Sequence, residues 1–221
     1  MDRLRGLSRD VACNVSTALP MNKFKQKYRI KSMRLPSWDY RSNGYYFVTI
    51  CTKNKLEWFG NVVNTEESPC LALSFIGKTA QNCWEDTSMH FPFVKLDAFV
   101  VMPNHVHWIV IIAKTDFVQN NGAFVETLHA TSLHNTKQMS SISPKSGSLS
   151  TIIRSYKSSV TKIARKIQPD FSWQPRFYEH IIRNEQSLNY IRNYILFNPE
   201  KWEDDKENIN NISRIQMLKT K

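Results

Sequence analysis

His105, Val106 and His107 open an apolar run, HVHWIVII, that ends at Ile112. On a strand, residues two apart share a face, so both imidazoles project from one surface while Val106 turns into apolar packing. Paired imidazoles suit transition metals, and with added oxygen ligands they can hold Mn²⁺ or Mg²⁺. The competing reading is a structural pair, because many histidines only pack. A second group lies further on. Tyr190, Tyr194 and Asn198 are four apart and form one stripe on an expected helix, which sets the Tyr194 phenol beside the Asn198 amide. The alternative for this stripe is two amphipathic core tyrosines with their hydroxyls at the rim.

The elements that must hold these groups follow from pattern. Asn43-Gly44 is a turn signal ahead of a β-branched and aromatic strand, Tyr45 to Cys51. A polar stretch, Asn61 to Pro69, precedes an amphipathic helix expected from Leu73 to Met89. Two strands, Phe93 to Met102 and His105 to Ile112, are joined by Pro103-Asn104, a tight hairpin turn. Residues 114–147 are rich in Asn, Ser, Thr and Gln and read as a long polar insertion. A helix from Leu149 to Lys166, a strand from Phe177 to Arg183 and a helix from Glu185 to Phe197 complete the series. Asn184 is expected to cap the last helix and Pro199 to end it. The first six elements run β-α-β-β-α-β, the order of a ferredoxin-like α+β sandwich with an antiparallel sheet. The C-terminal helix that carries Tyr194 is an addition. We expect a basic N-terminal arm over 1–42, disordered before Phe24, a single domain over 43–202 and a loose tail from 203. Met21 is an alternative start.

The chain has 221 residues, 41% of them hydrophobic, enough to bury a core. No apolar run reaches the roughly 18 to 20 residues that cross a bilayer, and the N-terminus has no secretory core. We therefore expect a soluble, cytoplasmic protein, nucleoid-associated at most, with no membrane partner. The cysteines at 13, 51, 70 and 83 form no CxxC pair, which argues against a zinc knuckle or disulfide framework. The net charge is +11 and unevenly spread. Residues 1–42 carry ten basic and three acidic groups, and residues 148–202 carry nine and four, while 43–113 carry four and six. Two basic stretches around a slightly acidic middle fit a polyanion partner. Tyr28, Trp38 and Tyr40 among the N-terminal cations could stack on single-stranded bases.

Four separated segments, in order, carry a resemblance. KSMRLPSWDYRSNGYYFVTICT (Lys31 to Thr52), MPNHVHWIV (Met102 to Val110), SLSTIIRSYKSSVTK (Ser148 to Lys162) and SWQPRFYEHIIRNEQSLNYIRNYILFNPEKW (Ser172 to Trp202) are similar to the single-tyrosine HUH transposases, and within them to the REP-associated tyrosine transposases. The resemblance covers about Tyr28 to Trp202. The insertion at 114–147 is longer than the short link expected, and the first twenty-odd residues have no counterpart. The resemblance implies cleavage and rejoining of single-stranded DNA through a covalent 5′-phosphotyrosine link. It implies Tyr194 as nucleophile, with Tyr190 and Tyr178 as rivals, and a divalent cation, Mg²⁺ or Mn²⁺, held by His105 and His107. Asn198 falls where related enzymes place a third polar ligand, often Gln. The partner it implies is single-stranded hairpin DNA with a short flanking tetranucleotide. A homodimer is an option, and no nucleotide cofactor is needed. A phenol with a pKa near 10 is a poor nucleophile at neutral pH, so a cation that withdraws charge from the phosphate makes chemical sense.

For DNA contacts we look to Arg29, Lys31, Arg34 and Trp38 on the arm, and to Lys157, Lys162, Arg165 and Arg176 further on. Trp173 and Trp202 are candidates for base stacking or for packing. Two other readings stand beside the enzyme. One is a non-catalytic, domesticated nucleic-acid-binding protein of the same fold. The other is a metal hydrolase using water, which would need a carboxylate near the histidines, with Asp97 and Glu179 as candidates.

Overall fold

The computed structural model describes residues 34–65, 68–115 and 144–209, together with the backbone of two short strands, β1 (Lys23–Phe24) and β2 (Lys27–Tyr28), which pair antiparallel. The main sheet has four strands: β3 (Gly44–Cys51), β6 (Val94–Val101), β7 (His105–Ile112) and β8 (Tyr178–Ile182). Their spatial order is β6-β7-β3-β8 and every neighbouring pair is antiparallel. This is the expected α+β sandwich. The Pro103-Asn104 turn is as tight as its two residues allow, with Met102 N–H donating to the His105 carbonyl at 2.8 Å.

One face of the sheet packs on α1 (Phe75–Glu85) and α3 (Leu149–Ala164). Tyr46, Val48, Ile50, Val106 and Trp108 meet Ile76, Ala80 and Trp84 from α1 and Ile152, Tyr156 and Val160 from α3. The other face packs on α4 (Glu185–Leu196), where Leu188, Ile191 and Ile195 sit against Phe47, Ile109 and Ile182. Because helices cover both faces, β3 and β7 read as nearly continuous apolar runs instead of alternating ones. Helices α1, α3 and α4 each start at a side-chain cap. The side chains of Ser74, Ser148 and Asn184 accept from the N–H groups of Gly77, Thr151 and Ser187.

Several expectations need correction. The helix from Leu73 to Met89 is two pieces, α1 and the single turn α2 (Thr87–His90). The polar stretch from Asn61 to Pro69 belongs to a hairpin, β4 (Gly60–Asn64) with β5 (Pro69–Leu73). Gly60 opens it at φ +132, and a Cβ there would lie 2.2 Å from the Ala72 carbonyl oxygen, so only glycine fits. Residues 34–42, expected within the arm, are packed on the domain: Trp38 Nε1 donates to the Tyr46 hydroxyl at 3.1 Å, and Leu149 N–H to the Tyr40 carbonyl at 2.9 Å. The tail is not loose at its start. A 3₁₀ segment, Pro199–Asp204, follows α4, and Glu207 and Asn208 beyond it are buried. The greater part of the insertion, 116–143, lies outside the described residues, as do Arg29 and Lys31. Among the described residues no helix is long and apolar enough to cross a membrane, and Cys51, Cys70 and Cys83 form no disulfide.

Candidate active site

Strand alternation sets His105 and His107 on the α4 face of the sheet, opposite Cys51 and Thr49 of β3. Both imidazoles are buried, at 0% and 1% exposure, and their Nε2 atoms lie 3.0 Å apart. The Asn104 amide nitrogen donates to the Lys55 and Glu207 carbonyls at 3.2 and 2.7 Å, so its oxygen faces His105 Nδ1 at 2.8 Å and must accept a proton from it. That bond fixes the tautomer and leaves the His105 Nε2 lone pair pointing at His107. Thr49 Oγ1, 2.9 Å from His107 Nδ1, can accept a proton from that ring in the same way. Burial, and then the Lys55 charge, hold His105 down to about 3; burial and the neighbouring His105 push His107 well below its usual value. Both rings are therefore neutral at pH 7, as metal ligands must be.

The Tyr194 hydroxyl reaches this pair, 3.3 Å from His107 Nε2. Its ring meets Phe47 edge-on, and Phe47 stacks on His107, so three rings lock together. Burial, then the negative charge of Asp205, raise the Tyr194 phenol above its ordinary range, while a hydrogen bond from Asn198 opposes the rise. Asn198 is buried and its Oδ1 has no hydrogen-bond partner. Asp205, from the tail, offers a carboxylate that together with the two imidazoles brings ligand atoms within 4.8 Å of one another. Two converging nitrogens, an unsatisfied buried amide oxygen and a carboxylate fit a divalent cation. Neighbouring ligands at bond lengths of about 2.1 Å sit roughly 3 Å apart, as these nitrogens do.

No family model matches the chain. It is 40% identical over 180 residues to an uncharacterised Haemophilus influenzae protein, spanning 80% of this chain and 91% of the relative. It is 25% identical over 164 residues to a second Haemophilus influenzae protein, named as a REP-associated tyrosine transposase, with 74% of each chain covered. Two solved structures also align with it. A REP-associated tyrosine transposase bound to a REP hairpin gives 21% identity and a TM-score of 0.47, over 76% of this chain and 74% of that one. A transposase from Deinococcus radiodurans gives 13% identity and a TM-score of 0.36, over 75% and 96%.

Within the fold the candidate residues fall into two groups. His105, His107, Tyr194 and Asn198 come together on the α4 face. Of the rival phenols, Tyr190 is 58% exposed and Tyr178 packs its ring edge-on against Phe47. Arg34, Trp38, Lys157 and Arg176 come together on the α3 side of the sheet, where they line a cavity of about 650 Å³ with Arg154 and Phe177. Arg34 pairs with Glu179 at 2.9 Å and lies over the rings of Tyr40 and Phe177. Lys157 is not a solvated charge: its Nζ donates to the Gln174 and Arg176 carbonyls at 2.8 and 3.0 Å, and burial brings its pKa to about 8. Arg165 donates to the Phe171 carbonyl at 2.9 Å, while Lys162 stands exposed. Trp202 flanks His105 with ring centroids 6.1 Å apart, and Trp173 packs within the core.

Sequence reasoning missed Asn104, Thr49 and Asp205. It looked for a carboxylate at Asp97 and Glu179, which instead pair with Arg192 and Arg34. The adjacency of Asn104 to the histidine pair was the one available signal. Asp205 gave none, since it sits in a charged stretch, EDDKE, that reads as solvated tail.

Proposed function

We propose that this protein is a REP-associated tyrosine transposase, one that cleaves and rejoins single-stranded DNA at hairpin-forming, REP-like palindromes with Tyr194 as the nucleophile. The observation that carries the reading is the 3.3 Å approach of the Tyr194 hydroxyl to a buried, neutral imidazole pair. The phenolic oxygen forms a bond to the scissile phosphorus, and the bond from phosphorus to the 3′-oxygen breaks. The phenol gives up its proton and the leaving 3′-oxygen gains one. The product is a 5′-phosphotyrosine and a free 3′-OH, and a DNA 3′-OH later reverses the exchange on a new partner. The link conserves the phosphodiester energy, so no nucleotide cofactor is consumed.

His105, His107 and Asn198 would hold a divalent cation, Mg²⁺ or Mn²⁺. Such an ion polarises the phosphate and offsets the negative charge that develops on its oxygens. The chain supplies position. Leu188, Ile191 and Ile195 seat α4, Phe47 holds the phenol ring, and Asn104 and Thr49 orient the imidazoles. The basic arm with Arg29, Lys31, Arg34 and Trp38, and the α3 side with Lys157, Lys162, Arg165 and Arg176, would carry the hairpin. Lys157 and Arg165 shape that surface through carbonyl bonds as well as through charge.

The test is incubation of the full chain with end-labelled hairpin DNA and Mg²⁺ or Mn²⁺, followed by denaturing electrophoresis. A protein-linked band that disappears in Tyr194→Phe supports the reading. Free fragments without a protein link indicate a water nucleophile. Intact DNA that still shifts in a native gel indicates a binding protein.

A further inference from the structure

We propose that Asp205 is a protein ligand of the cation site, a carboxylate delivered by the chain beyond the tyrosine helix. This rests on the reading of His105 and His107 as cation ligands and adds a residue that neither the motif nor its spacing supplies.

Three observations carry it. The first is convergence: one ligand atom from each of His105, His107 and Asp205 lies within 4.8 Å of the others, although Asp205 is 98 positions from the second histidine. The second is that the carboxylate is held. Asp205 Oδ1 accepts the Glu207 N–H at 2.6 Å, and the Asp205 backbone bonds Trp202 on one side and Asn208 on the other, each at 3.1 Å. Glu207 in turn is buried, paired with Lys55 at 3.0 Å, and its carbonyl takes the Asn104 amide at 2.7 Å. The same amide receives the His105 proton. A single side chain thus sets the first imidazole and anchors the strap that bears the carboxylate. The third is the unpartnered Asn198 Oδ1, buried beside the phenol. A cluster with this many electron-pair donors and no donated proton for one of them is built for a positive ion.

Charge explains why a carboxylate belongs there. Two neutral imidazoles and an amide bring no charge to a buried dication, and hard cations such as Mg²⁺ and Mn²⁺ favour carboxylate oxygen. Two imidazoles with one carboxylate also leave part of the coordination shell open, as a site that must accept phosphate oxygens requires.

The experiment is Mn²⁺ titration of the full-length chain without DNA, read by loss of the free-ion electron paramagnetic resonance signal. Melting curves with and without Mn²⁺ accompany it. Asp205→Asn keeps the shape and the oxygen that accepts from Glu207. Changing a residue that only orients a metal ligand costs roughly 10- to 100-fold in affinity, so loss of a direct ligand is expected to weaken Mn²⁺ at least tenfold and to remove most of the Mn²⁺-induced rise in melting temperature. The metal-free melting temperature should stay near that of the parent. Asp205→Glu tests whether the charge, offered from a longer arm, restores part of the binding. Unchanged Mn²⁺ affinity in Asp205→Asn, with binding lost in His105→Ala, overturns the role of Asp205 and leaves the histidine reading standing. Unchanged affinity in both variants overturns the cation site itself.

Discussion

Arg192 grips Asp97 with two bonds, Nε to Oδ1 at 2.9 Å and Nη2 to Oδ2 at 2.5 Å, and so fastens the tyrosine helix to the far strand of the sheet. Asp97 lies where the β6–β7 register shifts, between Leu96 and Phe99, and the irregularity gives its carboxylate a place in the ladder next to α4. Paired bonds of this kind fix direction better than single ones. Asp97→Asn should cost only about 1 kcal/mol of stability, because the guanidinium is partly solvated. It should reduce single-turnover formation of the protein–DNA link more than it reduces hairpin binding. Equal losses in both assays would mean that the pair only holds the fold together.

Asn104 joins three things: His105, the Lys55 carbonyl and the Glu207 carbonyl. Asn104→Ala leaves two carbonyls and one imidazole N–H short of a partner. Leaving buried groups unsatisfied costs about 1–3 kcal/mol each at most sites, so a clear drop in melting temperature is expected. Mn²⁺ affinity should fall by roughly 10- to 100-fold, as for other losses of ligand orientation. Calorimetric titration of the folded variant well below its melting point checks the second effect separately from the first.

The buried imidazoles make stability depend on acidity. Above about pH 6.5 neither the folded nor the unfolded chain protonates His105, and its contribution is complete. Below that, the unfolded chain takes up a proton that the fold refuses until about pH 3. Stability should therefore fall with acidification, at about 1.4 kcal/mol per pH unit for one such group. His107 shifts the same way and steepens the loss. Urea unfolding in a chelating buffer between pH 7 and pH 4.5 measures the slope. His105→Gln should flatten it, and an unchanged slope would contradict the burial of this ring.

Deletion of residues 1–33 is expected to weaken hairpin binding and to flatten its salt dependence, because eight of the ten basic residues of the arm go with it. The cut belongs before Arg34, since Trp38 and Tyr40 are tied to the core. Lys162→Gln should act in the same direction but less, by about one unit of the salt slope at most. Lys157→Gln should chiefly lower the melting temperature, because its ammonium holds the carbonyls of Gln174 and Arg176. Filter binding across a range of salt concentrations, beside thermal melts, separates these effects.

What could be read from the sequence was whatever repeats locally. Strand parity put both imidazoles on one face, and helical spacing put Tyr194 and Asn198 on one stripe. The order of elements gave the sandwich. The unread parts depend on contacts that have no period. Asp205 meets His107 only because Pro199–Asp204 turns the chain back over the sheet, and nothing within EDDKE marks that path. Lys157 looked like one more exposed cation on α3, yet the loop after it brings two carbonyls within its reach, and Arg176 there adopts a φ of +69. The β4–β5 hairpin was hidden because its strands are short and are bounded by Gly60, Asn64 and Pro69, residues that read as loop.

The two-residue turn before His105 leaves no slack at that pole of the sheet. One added residue between Met102 and His107 would send an imidazole to the opposite side. The long polar segment after Ile112 joins the sheet at the other end of the same strand, about 20 Å away at strand rise. It leaves beside Asn43, whose side chain pairs with the Lys114 backbone, and returns at Pro144 and Lys145 on the rim of the basic cavity. Growth or shrinkage there cannot disturb the parity of the histidines. The molecule is thus divided into a pole where length is forbidden and a pole where it is negotiable.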